Sequence, residues 1–388
     1  MSSNTTTKTS ITLLLTLSLI LLTIHVPHAN ATEDQWTTKA FMPTATVGKA
    51  TVLNGKIYVV GGSNNYTHNP VYEYNPVTDT WATKKPVPTP RDSFAIAACQ
   101  NKIYVIGGRT IKSRTGSNEV YDPETDTWET KTSMPTNRSQ LNANVVDGKI
   151  YMIGGRTGDQ YTTVSLNEVY DPETNTWTTK KPIPYPVVQY ASAVVDNKIY
   201  IIGGQDEFHP DCNVAFTQIY EPEDDTWSQG NHVPVATWQA AAGATTGTMA
   251  PKRIYLMGGE GGFVEPLNQT YVYDPEADVW SAGTPLPTPL TNPAVAVVND
   301  LIYVIGGGVG WLTATAAVEQ YTPVGYISEF PLWVILPLLI TATLVIIICK
   351  QRLPKTSSNG CDGCKPGLTV SEACHRLALN EGQNFLVL

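Results

Sequence analysis

Cysteine, histidine and positive charge are all scarce in this chain. Six cysteines occur in 388 residues, and only Cys99 and Cys212 lie in the first 325. A disulfide framework is therefore excluded as the basis of the fold. Charged residues make up 15% of the chain, and residues 32–325 carry 19 Lys+Arg against 30 Asp+Glu, a balance of −11 within the overall −9. A nucleic-acid partner is excluded, because it would need a basic face. The 42% apolar content is that of a globular chain with membrane content, not of a disordered one.

The two ends differ from the middle. Residues 1–31 read as a signal peptide. Lys8 gives a weak basic start, Ile11 to Ile24 is apolar apart from Thr and Ser, and Ala29-Asn30-Ala31 supplies small residues before a cut ahead of Thr32. Residues 326–349 read as a transmembrane anchor. Within them Phe330 to Cys349 is an uncharged run of 20 residues, enough to cross the hydrocarbon as a helix. Tyr326 and Trp333 lie near its outer edge, and Lys350, Arg352 and Lys355 follow it. Positive residues stay on the cytoplasmic side, so residues 32–325 are expected outside the cell and the tail, 350–388, inside. That tail holds Cys361, Cys364, Cys374 and His375, a weak zinc candidate. Adjacent Cys and His make a poor second half of a tetrahedral site, and reduced cytoplasmic thiols are the plainer reading. No metal or cofactor is expected.

The middle is a repeat. A glycine pair occurs at Gly61-Gly62, Gly107-Gly108, Gly154-Gly155, Gly203-Gly204, Gly258-Gly259 and Gly306-Gly307, at successive intervals of 46, 47, 49, 55 and 48 residues. Ahead of each pair runs an Ile-Tyr strand, from Ile57-Tyr58 to Ile302-Tyr303. Before that strand lies an apolar, small-residue run such as Phe94 to Ala98 or Tyr190 to Val195. It is continuous rather than alternating, as expected of a strand buried on both faces. After each glycine pair a third strand ends in Tyr74, Tyr121, Tyr170, Tyr220, Tyr273 or Tyr321. An Asp-Pro-type turn follows, and in the first five units a Trp seven residues past the Tyr (Trp81, Trp128, Trp177, Trp227, Trp280) opens a fourth strand. Four strands at a period near 50 residues are the mark of propeller blades. The aromatics are expected to fill the space between blades. The sixth unit has Tyr321 but no Trp after it, whereas Trp36 to Pro43 resembles a fourth strand with nothing before it. The N-terminal strand is therefore expected to complete the last blade, which also removes the open sheet edge.

The doubled glycine, the spaced Tyr and Trp and the Asp-Pro turn closely resemble the kelch repeat over roughly residues 34–323. The resemblance implies an all-β fold, a six-bladed kelch β-propeller closed by an N-terminal outer strand, with one transmembrane helix after it. Ser328-Glu329-Phe330-Pro331 resembles the anchors of archaeal surface proteins, from which the Cys-bearing tail departs.

The resemblance also implies a binding face, built from the loops between second and third strands and between blades. Carried onto this chain, it gathers Arg91, Arg109, Arg114, Arg138, Gln140, Arg156, Tyr161, Gln189, Tyr190, Asp206, Glu207, His209, Trp238, Phe263 and Trp311. Arginine presents a planar fork suited to carboxylates. The plainer alternative is that each Arg fills the repeat and that His209 is an exposed loop histidine. The copper oxidases of this class need a Tyr–Cys crosslink and two His ligands. With His68, His209 and His232 the only histidines between residues 32 and 325, and Cys99 and Cys212 at opposite ends of the fold, that site is not expected. Sequons at Asn65, Asn137 and Asn268 fit a glycosylated exterior. The expected function is a surface-displayed module binding an extracellular protein or glycan. The competing reading is a carbohydrate-modifying enzyme resembling sialic-acid epimerases, with Arg, Glu207 and His209 at its site.

Overall fold

The computed structural model describes residues 33–327, apart from 63–67, 159–161, 207–212, 262–264 and 311–312. The signal peptide, the anchor and the cysteine-bearing tail lie outside the described residues. Among those described there is no helix. Six four-stranded antiparallel sheets follow one another along the chain. Blade 1 runs Gly48–Leu53, Lys56–Gly61, Val71–Asn75 and Thr80–Lys84 from inner to outer strand. Blades 2 to 5 repeat that order, with inner strands Ala95–Cys99, Ala143–Val146, Ala191–Val195 and Ala241–Ala244. Blade 6 takes Ala294–Val298, Leu301–Ile305 and Val318–Thr322, and its outer strand is Gln35–Thr38. The register pairs Trp36 with Tyr321, as Trp81 pairs with Tyr74 in blade 1. The expected closure is therefore observed.

The inner strands differ from expectation in one respect. Those of blades 3, 4 and 6 alternate, fully buried positions taking turns with half-buried ones, as in Ala191–Val195 and Ala294–Val298. One face packs on the neighbouring strand layer and the other looks into the channel. The small side chains on both faces hide the two-residue period in the sequence.

Each blade is latched to the one before it at a single residue. In blade 1 the Tyr74 hydroxyl donates to Asp79 Oδ1 at 2.6 Å, Asp79 Oδ1 accepts from the Ala40 amide at 2.9 Å, and Trp81 Nε1 donates to the Ala40 carbonyl at 2.8 Å. Lys85 is held in this way by Asp126 and Trp128, Thr132 by Asn175 and Trp177, Lys181 by Asp225 and Trp227, and Asn231 by Asp278 and Trp280. At the closing seam Tyr321 donates to Asp34 at 2.6 Å and Trp36 Nε1 to the Thr284 carbonyl at 3.2 Å. The Trp and Tyr rings of each latch lie 4.8 to 5.1 Å apart, within the range of favourable aromatic pairs. The latching Asp or Asn takes the left-handed conformation, with φ of 51 to 58° from Asp34 to Asp278, which Asp and Asn tolerate better than most residues.

Tyr hydroxyls hold the Asp34, Asp79 and Asp126 carboxyls below the usual carboxylate range. A carboxyl lowered in the folded state adds stability that is present above its unfolded value and lost as the pH falls through the folded one. Blade 3 carries Asn175 in this place, with the Tyr170 hydroxyl 2.7 Å away, so the latch also works without charge. Asp126→Asn is expected to keep the unfolding midpoint near neutral pH and to flatten its decline toward acid. Asp126→Ala should lower the midpoint throughout. Scanning calorimetry across the acid range checks both.

Candidate functional site

One end of the channel is framed by the residues that enter the inner strands. Ser93, Gln140, Gln189, Gln239 and Asn292 occupy equivalent positions in blades 2 to 6, all with φ between 47 and 60°. Their backbones join blade to blade. The Gln140 amide donates to the Ser93 carbonyl at 2.9 Å, Gln189 to Gln140 at 3.0 Å, Gln239 to Gln189 at 2.8 Å, and Asn292 to Gln239 at 2.8 Å. The glycine pairs support this rim from outside. Gly154 and Gly155 have φ of 62° and 89°, and a Cβ on either would stand 2.7 and 2.9 Å from carbonyls of Val187 and Ser139. Only glycine allows so close an approach. The Gly155 amide donates to the Val187 carbonyl of the next blade at 3.1 Å, and Gly108, Gly204, Gly259 and Gly307 make the same step.

Two cavities open within this rim. The first, about 310 Å³, is lined by Lys49, Asp92, Arg109, Gln140, Asn142, Gln189, Gln239 and Asn292, among others. The second, about 360 Å³, is lined by Trp238, Glu260, Thr291 and neighbours of blades 5, 6 and 1. Val47, Gly62, Gln239 and Asn292 line both, so the two form one depression. At the floor of the first, Lys49 Nζ of blade 1 lies 3.1 Å from Asn142 Oδ1 of blade 3. Asn142 Nδ2 donates to the Tyr190 carbonyl at 2.8 Å, which fixes the amide with its oxygen toward the lysine. Enclosure by the channel wall brings the Lys49 ammonium down to about 8. In the second cavity Glu260 is 6% exposed, and its Oε2 has no hydrogen-bond partner among the described residues.

The face foreseen from the sequence is only partly assembled here. Arg109, Gln140 and Gln189 line the first cavity and Trp238 the second. Arg109 is paired with Asp92 at 3.0 Å. Arg156 is half-buried and bridges backbone to backbone with Ser139, while Asp206 is half-buried at the start of its loop. Tyr161, Glu207, His209, Phe263 and Trp311 lie outside the described residues, as do Asn65 and Cys212. Asn137 and Asn268 are exposed. Cys99 is a buried free thiol that donates to the Gly148 carbonyl at 3.3 Å.

Four of the expected positions require correction. Arg91 and Arg138 are fully buried and form no part of an open face. Arg138 donates to Glu168 Oε2 at 2.8 Å, to the Gly154 carbonyl at 2.5 Å and to the Met152 carbonyl at 3.1 Å. Arg91 does the same in blade 2 with Glu119 and with the Val105 carbonyl at 2.8 Å. Arg114 is turned into the junction of blades 2 and 3, where its Nε donates to Ser139 Oγ at 3.0 Å and its guanidinium to the Gly158 carbonyl. Tyr190 is 2% exposed and its hydroxyl donates to the Ile153 carbonyl at 2.5 Å, so it forms wall rather than contact surface.

Two site residues escaped the sequence reading, and both had a readable mark. Lys49 is the one charged residue in the six inner strands. Glu260 directly follows a glycine pair, in the register of Arg109 and Arg156.

An all-β ring of six blades with a polar rim at one end defines a six-bladed propeller, and the solved structure of YjhT has that likeness. It superposes with a TM-score of 0.63 over 72% of this chain and 95% of its own, at 16% identity, which speaks to the fold alone. The family model described as the KLHDC2/KLHL20/DRC7 Kelch-repeats domain matches residues 22–186 and 129–308. The chain belongs to the kelch-repeat family. Beta-scruin of Limulus polyphemus is 39% identical over 88 residues, 20% of this chain and 10% of that protein. Kelch repeat and BTB domain-containing protein 1 of Vaccinia virus (strain Copenhagen) is 34% identical over 93 residues, 22% of this chain and 16% of that one. The matched stretches thus span a small part of these curated relatives.

A buried ion pair that loses one partner leaves an uncompensated charge, at a cost of about 3–5 kcal/mol. Arg138→Met is therefore expected to destabilise the ring by about that much, and Arg138→Met combined with Glu168→Leu to recover most of the loss. Urea unfolding of both variants checks this. A neutral single variant would place Arg138 outside the wall.

Proposed function

We propose that this protein is a cell-surface binding module. Its leader is removed, its ring stands outside the membrane on a single C-terminal helix, and the rim of the channel meets an extracellular protein or glycan. What supports this reading is a contrast among the repeats. The latch residues are nearly the same in all six blades. By contrast, the position after the glycine pair holds Arg109, Arg156, Gln205, Glu260 and Gly308 in blades 2 to 6. The rim position holds Val47, Ser93, Gln140, Gln189, Gln239 and Asn292. A purely architectural surface has no need for such differences. A surface matched to one partner does, since specificity comes from a few placed polar groups in a largely preformed site.

The second reading, a carbohydrate-modifying enzyme, is favoured by one observation. The depression has the size of a small-molecule site, and Glu260 offers a buried carboxylate oxygen with no partner among the described residues. Such an oxygen fits a general base. The exposed Asn137 and Asn268 are the proposed glycan carriers.

The test exposes the purified full-length chain to a glycan array and to an extracellular peptide display, and follows sialic acids by mass spectrometry. The proposal expects saturable capture that Trp238→Ala or Glu260→Gln weakens about tenfold or more, with no new product. Product that forms and is lost in Glu260→Gln would move the assignment to the enzyme. Capture indifferent to every rim substitution would remove the rim from the function.

A further inference from the structure

We infer that the first cavity is a site for a small monocarboxylate, with Lys49 as its counter-ion and Asn142 as the group that aims the ammonium into the cavity. The inference rests on the reading of the rim as the ligand face. At the depth of Lys49 the other inner strands present Ala95, Asn142, Ala191, Ala241 and Ala294. No carboxylate pairs with the ammonium among the described residues, and its one hydrogen-bond partner there is the neutral Asn142 oxygen. The remaining charges on the cavity wall are Asp92 and Arg109, which pair with each other.

A cation enclosed in this way is costly to keep unless something compensates it. Structure alone does not need it. The equivalent position in four blades is alanine, and a purely structural plug would be apolar. The Lys49–Asn142 bridge also divides the channel, with about 310 Å³ above it and about 110 Å³ below. The bridge is therefore the floor on which a ligand entering from the rim would rest. One cation surrounded by neutral amides suits one negative charge, so a monocarboxylate fits better than a phosphate dianion. The amides of Gln140, Gln189 and Gln239 above it suit a polar, uncharged body.

The charge on Lys49 also sets a pH window. Its lowered value means that the ammonium is present below about 8 and discharged above it, whereas an ordinary surface lysine stays charged well past that point. The charged groups that face Lys49 across the cavity are Asp92 and Arg109, joined to each other at 3.0 Å.

The experiment uses the full-length chain labelled with 13Cε-lysine, with acetate, acetamide and inorganic phosphate as probes at constant ionic strength. The Lys49 resonance is assigned by its absence from Lys49→Met. It is expected to titrate near 8 and to move saturably with acetate but not with acetamide. Phosphate should bind more weakly, and acetate affinity should fall as the pH rises from 7 to 9. Acetate should raise the thermal midpoint of the wild-type chain and not that of Lys49→Met, which should itself melt no lower than wild type. Asn142→Ala should weaken acetate about tenfold without that loss of charge. Equal responses to acetate and acetamide, tighter phosphate binding, or acetate stabilisation retained in Lys49→Met would overturn the inference. Should Lys49→Met fail to fold, Lys49→Gln serves the same comparison. Failure of the acetate arm with rim-dependent capture intact would sink this site alone. Capture that ignores the rim, with the acetate site intact, would sink only the broader reading.

Discussion

One residue per junction carries the architecture. Its amide donates to an Asp or Asn, and its carbonyl accepts from a Trp of the following blade, so both backbone groups are satisfied by the next sheet. The same Asp or Asn accepts from a Tyr hydroxyl of its own blade, and the Tyr ring packs on the Trp. Backbone amides and carbonyls seek partners, and here they find them across the seam rather than within a sheet. The blades are thereby fixed in angle as well as in contact, and six such angles close a circle. The seam at Tyr321 uses the N-terminal strand because a ring built from one chain must join its ends somewhere. Joining them inside a sheet removes two open edges at once.

This placement frees the opposite end of the blades. The latches lie at the turns after the third strands, while the rim lies where chains enter the inner strands. Substitution at the rim leaves the latches untouched, so the rim has diverged from blade to blade. The result is a depression with a cation in one sector, at Lys49, and a carboxylate in another, at Glu260. The backbone ring from Ser93 to Asn292 holds its shape in advance, which reduces the ordering cost of binding.

Much of the fold was legible in the sequence. The glycine pairs gave the period, the missing Trp after Tyr321 gave the seam, and the Tyr–Trp spacing gave the packing between blades. The binding face was less legible because an arginine before an inner strand looks the same whether it points to solvent or into the wall. Arg91 and Arg138 went into the wall because Glu119 and Glu168 wait there on the third strand. That pairing was visible among the repeats. In blade 4, Val187 accompanies Gln218, and in blade 5, Thr237 accompanies Tyr271, so arginine and glutamate are lost together there, although blade 6 keeps Glu319 with Leu290 in the arginine's place. Lys49 was less legible because it stands on an inner strand and not in a loop, although a lone charge in a small-residue strand is conspicuous. Glu207 and His209, which the enzyme reading relied on, lie outside the described residues.

The most direct measurement of the closed ring is native-state hydrogen exchange at the seam. The Asp34 amide is bonded to the Thr322 carbonyl at 2.8 Å and the Lys39 amide to the Val318 carbonyl at 2.9 Å. If the N-terminal strand is an integral part of blade 6, both amides exchange only as slowly as those of Leu301–Ile305, in a single cooperative opening. Fast exchange of Asp34 and Lys39 while Leu301–Ile305 stays protected would mean that the strand merely rests on the ring, and the account of closure would be wrong.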